Sequence, residues 1–204
     1  MSVEDIEGFA LMELMIAIAM LGIIVSLIVN SYTSQSGTHT SQNQVVEVQQ
    51  NARAAIVLLG KEIRRAGHDL EDDDNHGITT AGDGLSGANA LSFTYDDASG
   101  TPQTATINLF DSTIDNGATN DEIQVTAGGQ PIAENIANSE TGDPIFEYFD
   151  ETGTSLGNSV SAANLEDIRA IRVHIIARPD EAERDLTGGV RELTQMVYCR
   201  NLGL

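Results

Sequence analysis

Tryptophan is absent from this chain of 204 residues, aromatic residues make up only 4% of it, and there is a single cysteine, Cys199. Without large rings, the core has to be assembled from Val, Ile, Leu and Ala, and it will be modest. One cysteine excludes an intrachain disulfide, so pairing says nothing about the redox compartment. Cys199 reads as a small hydrophobe in a C-terminal strand, because nothing in the sequence places His68, His76 or His174 beside it as a catalytic partner. Positive charge is also scarce: 10 Lys and Arg face 31 Asp and Glu, a net charge of −21. From Gly67 to Asp167 there is no Lys or Arg at all, while the same stretch carries Asp69, Glu71, Asp72, Asp73, Asp74, Asp83, Asp96, Asp97 and further carboxylates. A surface of this sign repels a phosphate backbone, so direct nucleic acid binding is not expected. The motifs of common enzymes are missing as well, with no Gly-rich phosphate loop, nucleophile elbow, His-x-x-x-His or Cys-x-x-Cys. No enzymatic activity and no cofactor are therefore expected.

What the chain does have is a long hydrophobic run. Residues Phe9 to Val29, FALMELMIAIAMLGIIVSLIV, are apolar apart from Glu13 and Ser26. A helix of this length covers about 30 Å, the thickness of a bilayer hydrocarbon core, so the segment predicts a transmembrane helix. A cleaved secretory signal has a shorter apolar run, a basic start and a small-residue cleavage site after the run. Asn30-Ser31-Tyr32 offers no such site. Glu13 is the informative anomaly, because a carboxylate inside a spanning helix costs a few kcal/mol and marks a functional contact with a partner. The bland alternative is that it lies close enough to the segment's end to reach the headgroups.

The stretch Gly8-Phe9-Ala10-Leu11-Met12-Glu13-Leu14-Met15-Ile16-Ala17-Ile18-Ala19-Met20-Leu21-Gly22-Ile23 closely resembles the N-terminal signature of type IV prepilins and type II secretion pseudopilins. In that family a prepilin peptidase of the inner membrane cuts after the Gly and methylates the new N-terminus. The resemblance thus implies residues 1–8 as a leader, cleavage between Gly8 and Phe9, and N-methylation of Phe9. It further implies that Glu13 pairs with the amine of Phe9 in a neighbouring subunit during assembly. A compact cation at similar depth is what a carboxylate in hydrocarbon requires, so the physical chemistry points the same way. The implied partners are other pilin subunits, the peptidase, an inner-membrane assembly platform and membrane lipid before assembly. The implied location is the bacterial inner membrane, single-pass with the head outside the cytoplasm, and then a pilus or pseudopilus filament. The leader, MSVEDIEG, departs from the pattern: it carries Glu4, Asp5 and Glu7 and no basic residue, where family leaders are typically basic.

Beyond Asn30 the sequence is polar, rich in Ser, Thr and Gln, with Gly37 in its middle. Weak helix propensity makes Gly37 a candidate hinge, with a tolerated glycine in a continuous helix as the equal alternative. From Val45, a helical period returns through Val48, Ala52, Ala55, Ile56, Leu59, Ile63 and Ala66, predicting an amphipathic helix that ends at Gly67 with Lys61, Arg64 and Arg65 in its last turns. Gln50 to Ala55 and Ile63-Arg64-Arg65-Ala66-Gly67 resemble the equivalent stretch of PilW-like minor pilins, as does the ending Cys199-Arg200-Asn201-Leu202, with J-type minor pseudopilins as close competitors. Strands are predicted over residues 90–95, 104–110, 122–126, 145–149, 167–177 and 190–200, separated by Gly, Asp and Asn. In the fifth of these, Ile171, Val173 and Ile175 alternate with Arg172 and His174, the pattern of a sheet with one buried face. The expected fold is α+β: a long N-terminal transmembrane and amphipathic helix packed on an antiparallel sheet in a pilin-like head spanning residues 68–204.

Asp72, Asp73 and Asp74, within Glu71-Asp72-Asp73-Asp74-Asn75-His76-Gly77, are candidate calcium ligands, because calcium prefers oxygen donors. They lack the spacing of an EF-hand loop, and an unspecific acidic loop is the simpler reading. His76 also offers a donor for a transition metal. On these grounds the expected function is structural, a minor pilin or pseudopilin that initiates or decorates a filament serving adhesion, motility, DNA uptake or secretion. The rival is a single-pass membrane-anchored sensor or adhesin with an acidic head.

Overall fold

The structure, a computed structural model, describes residues 11–70, 76–110, 122–125, 131–179 and 190–202. The chain divides into two compact units, Met1–Asn43 and Gln44–Leu204.

In the first unit the described residues are all helical, the opening part of helix α1, Leu11–Ile63. The polar stretch after Asn30 does not melt, and helical structure continues through Gly37. Its hydroxyls explain how a low-propensity sequence stays helical: Thr33, Thr38 and Thr40 donate to the carbonyls of Asn30, Ser34 and Ser36 at 3.0 to 3.1 Å. These bonds turn side chains that usually compete with the helix into decorations of it.

In the second unit, α1 contributes the buried residues Gln44, Val48, Ala52, Ala55, Ile56, Leu59, Gly60 and Ile63. This is the stripe predicted by periodicity, except that Val45 is half-buried and Gln44 and Gly60 join the buried face. A Cβ at Gly60 would stand 3.5 Å from Val197, so the small residue sets a close helix-to-strand approach. The helix ends four residues before Gly67, in tight turns closed by Arg65 N to Glu62 O at 3.0 Å and Ala66 N to Ile63 O at 3.1 Å. Gly67 then takes a φ of +72°, with Leu202 and the Asn201 carbonyl so near that any side chain would collide.

The expected single sheet is in fact two, both antiparallel. The first is a meander of β1 (Ile78–Ala81), β2 (Leu91–Asp96), β3 (Pro102–Phe110), β4 (Glu122–Val125) and β5 (Pro131–Ala133). The second contains β6 (Phe146–Phe149), β7 (Ser155–Gly157), β8 (Ala170–Ala177) and β9 (Arg191–Tyr198) in the order β7-β6-β8-β9. Between them lies the short helix α2, Asn138–Thr141. Asn138 is buried there and stitches α2 to β8: it accepts from Ile176 N at 2.8 Å and donates to the carbonyls of His174 and Asp143, both at 3.1 Å. The start expected for β8 at residue 167 is corrected to Ala170, because residues 162–167 form a 3-10 helix.

The Gly82–Gly84 segment after β1 joins the two sheets. Tyr148 of β6 donates its hydroxyl to the Gly82 carbonyl at 2.7 Å, and Asp83 O accepts Ile145 N at 2.8 Å. A single hydrophobic core draws on the α1 stripe and on both sheets, with Phe93, Ile107, Leu109, Phe146, Ile171 and Val173 fully buried. Each fully buried side chain of this size contributes about 1.5–3 kcal/mol, which is how a chain poor in aromatics still holds together.

Candidate functional site

Every large apolar side chain from Leu11 to Val29 is between 48% and 77% exposed. A surface helix of a water-soluble protein hides an apolar stripe and wets the other side, whereas this segment is apolar all round and hides none of it. It is long and apolar enough to cross a membrane by length and composition. Glu13 is the one carboxylate among the described residues of this segment, Leu11 to Val29. Gly8 and Phe9, the expected cleavage and methylation positions, lie outside the described residues. So do Asp72, Asp73 and Asp74, the candidate calcium ligands.

Within the second unit, three residues that flank the acidic run come together. Asp69 follows the end of α1, His76 precedes β1, and Asp96 closes β2. One donor atom from each lies within 4.8 Å of the others. Main-chain pairing holds the arrangement: Asp96 N donates to His68 O at 2.7 Å, Thr94 N to Gly77 O at 2.9 Å, and Gly77 N to Thr94 Oγ1 at 3.0 Å. The sequence drew attention to the carboxylates between Asp69 and His76. Asp96 is twenty positions beyond His76 in number and is delivered only by the β1–β2 pairing, in which Ile78 lies opposite Phe93.

Two tight turns are built alike and escaped sequence reading. Asp97 Oδ1 accepts the hydroxyl of Ser99 and the amides of Ser99 and Thr101, and Asp150 Oδ1 accepts the hydroxyl of Thr152 and the amides of Thr152 and Thr154. The hydroxyl bonds foremost, then the amides, hold both carboxyls below the usual aspartate range. The signal was present as a shared pattern, Phe93-x-Tyr95-x-Asp97-x-Ser99-Gly100-Thr101 against Phe146-x-Tyr148-x-Asp150-x-Thr152-Gly153-Thr154.

Cys199 is buried, and desolvation pushes its thiol up to about 12, which removes the thiolate that nucleophilic or redox chemistry requires. Burial likewise raises the Tyr148 phenol, foremost by desolvation, so it stays a hydrogen-bond donor. Buried Arg178 meets Glu140 at 2.6 Å beside a polar pocket of about 370 Å³ lined by Gln44, Glu47, Asn51 and Glu134. Asn51 reaches across to donate to the Glu134 carbonyl at 2.5 Å. Arg172 pairs with Glu147 across β6 and β8 and lies over the ring of Phe149. These pairs tie the unit together and converge on no nucleophile.

Comparison with protein-family models, with curated proteins and with solved structures finds no match to this chain.

Proposed function

We propose that the chain is a filament subunit of the pilin type, a minor pilin or pseudopilin, held in a membrane by its N-terminal helix and then polymerised through it. The observation that supports this reading is the segment from Leu11 to Val29, apolar and exposed on every face and interrupted by one carboxylate, Glu13. An all-round apolar helix needs an apolar environment on all sides. Lipid supplies it to a single subunit, and the helices of neighbouring subunits supply it in a polymer. Passing from one to the other exposes no apolar surface to water, so assembly carries no hydrophobic penalty.

In this reading a prepilin peptidase cuts between Gly8 and Phe9, and the new amine of Phe9 becomes the cation that Glu13 of the adjoining subunit requires. Glu13 thereby fixes how far one subunit slides along the next, since a carboxylate in hydrocarbon is costly unless paired. The acidic head stands outside the cytoplasm and serves no catalytic purpose.

The test is assembly. Glu13→Gln and Glu13→Ala subunits, co-expressed with the other components of the filament, are expected to remain in the membrane fraction and to fall at least tenfold in sheared filaments. Incorporation at the parental level would overturn the reading. Intact mass gives a second measurement: a mature chain beginning at methylated Phe9 supports the filament subunit, whereas one retaining Met1 to Gly8 supports a permanent membrane tether.

A further inference from the structure

Asp69, His76 and Asp96 have a geometry that the filament reading does not use. We infer that these three side chains form a binding site for a divalent first-row transition cation, with zinc the best fit to the donor set. His76 Nε2 and Asp96 Oδ1 stand 3.0 Å apart, and their side chains are only 3% and 2% exposed. Donors held about 2.0–2.2 Å from a shared cation are necessarily about 3.0–4.4 Å from one another, so this separation suits two adjacent ligands. The third donor, from half-exposed Asp69, lies inside the same 4.8 Å envelope.

The two oxygens of Asp96 are used differently. Oδ2 accepts the amide of Leu70 at 3.0 Å, which fixes the plane of the carboxylate. Oδ1 is buried and accepts no hydrogen bond among the described residues, although it points into the cluster. A buried carboxylate oxygen without such a donor is expensive, and a cation is what relieves it. The protein group that faces Oδ1 is the ring of His76, whose Nε2 lies 3.0 Å away. The chain has no Lys or Arg between Gly67 and Asp167, and Arg65, just before that stretch, is turned to Glu62 at 2.8 Å and lies over the Tyr95 ring.

Two carboxylates and a neutral imidazole carry two negative charges, which a divalent ion balances. The imidazole decides the kind of ion: calcium and magnesium favour all-oxygen sets, whereas zinc and its neighbours accept mixed nitrogen and oxygen. The cation would tie the end of α1, the entry to β1 and the end of β2 to one point. Because the ligands are spread over the folded chain, binding and folding of this unit are coupled.

The full-length chain, purified in detergent and stripped with chelator, is titrated with Co²⁺ as a visible probe and then with Zn²⁺. One equivalent of Co²⁺ is expected to bind with d–d absorption and to be displaced by Zn²⁺ but not by millimolar Ca²⁺. Saturating Zn²⁺ is expected to raise the unfolding temperature by about 5–10 °C, the shift for a chain of this size at a hundredfold excess over Kd. His76→Gln and Asp96→Asn should each weaken Zn²⁺ by about 100-fold or more. The triple variant D72N/D73N/D74N should bind within a few-fold of the parent. Should the buried variants fail to fold by circular dichroism, the parent's own titration and the half-exposed Asp69→Asn decide the matter. Absence of Co²⁺ binding and of a thermal shift in the parent, unchanged Zn²⁺ affinity in a folded His76→Gln or Asp69→Asn chain, or displacement of Zn²⁺ by Ca²⁺ would each overturn the inference.

Discussion

Helix α1 carries two hydrophobic segments that differ in what they do with their apolar surface. From Leu11 to Val29 nothing is buried, although nearly every residue is apolar. From Gln44 to Ile63 one stripe is buried against the sheets, while Val46, Val57 and Leu58 on the other side stay exposed. Hydrophobicity alone therefore does not say where a helix finds its partner; the angular spread does. A stripe is satisfied by its own domain, whereas a fully apolar cylinder must be satisfied by lipid or by other chains.

The sharpest way to break this contrast is to truncate one residue in each segment. Leu59→Ala removes a fully buried side chain and is expected to destabilise the second unit by about 2–5 kcal/mol. Ile18→Ala removes one that is 60% exposed and should leave thermal unfolding of that unit within about 0.5 kcal/mol of the parent. Equal losses for both, measured by circular dichroism in detergent, would erase the distinction.

The glycines give a smaller effect and opposite signs. Gly67→Ala places a methyl 2.7 Å from Leu202 and 2.9 Å from the Asn201 carbonyl, at a φ of +72°, and should cost about 1–3 kcal/mol. Gly37→Ala meets nothing within 4 Å and should raise helix stability by up to about 1 kcal/mol, read as a gain in far-UV ellipticity on heating. A loss of helix at Gly37→Ala would restore the hinge that the polar sequence suggests.

The smallest effect is a pH dependence confined to the second unit. Asp97 and Asp150 have folded-state values below the usual 3.8, so the unfolded chain binds protons more readily than the folded one. Their contribution is present in full above that unfolded value and is lost as pH falls through the lower, folded one. The double variant D97N/D150N should accordingly show a shallower fall in unfolding temperature below about pH 4 than the parent. An unchanged acid limb would place the dependence on other carboxylates.

The parts of the fold that were legible in the sequence are those with a long period. The α1 stripe and the alternation of Ile171, Val173 and Ile175 in β8 follow directly from burial on one face. Strands β1, β5 and β7, only three or four residues each, are too short to display alternation, and their existence depends on the neighbours they pair with. The division into two sheets was equally hidden, since punctuation by Gly, Asp and Asn marks where strands stop and not which strands pair. For the same reason the sequence pointed to the carboxylates at 72–74, a local cluster, and missed Asp96, which reaches His76 through tertiary pairing. Glu13 was legible because one charge in a run of apolar residues needs no fold to be noticed.

The bond from Tyr148 to the Gly82 carbonyl, with Asp83 accepting the Ile145 amide beside it, has a consequence for how the second unit comes apart. Either sheet can detach only by stranding a buried phenol and two main-chain groups, at about 1–3 kcal/mol apiece. Partial opening is thus less favourable than complete unfolding, and amides in the middle of β2 and β8 should exchange with deuterium at a common rate, through one cooperative event.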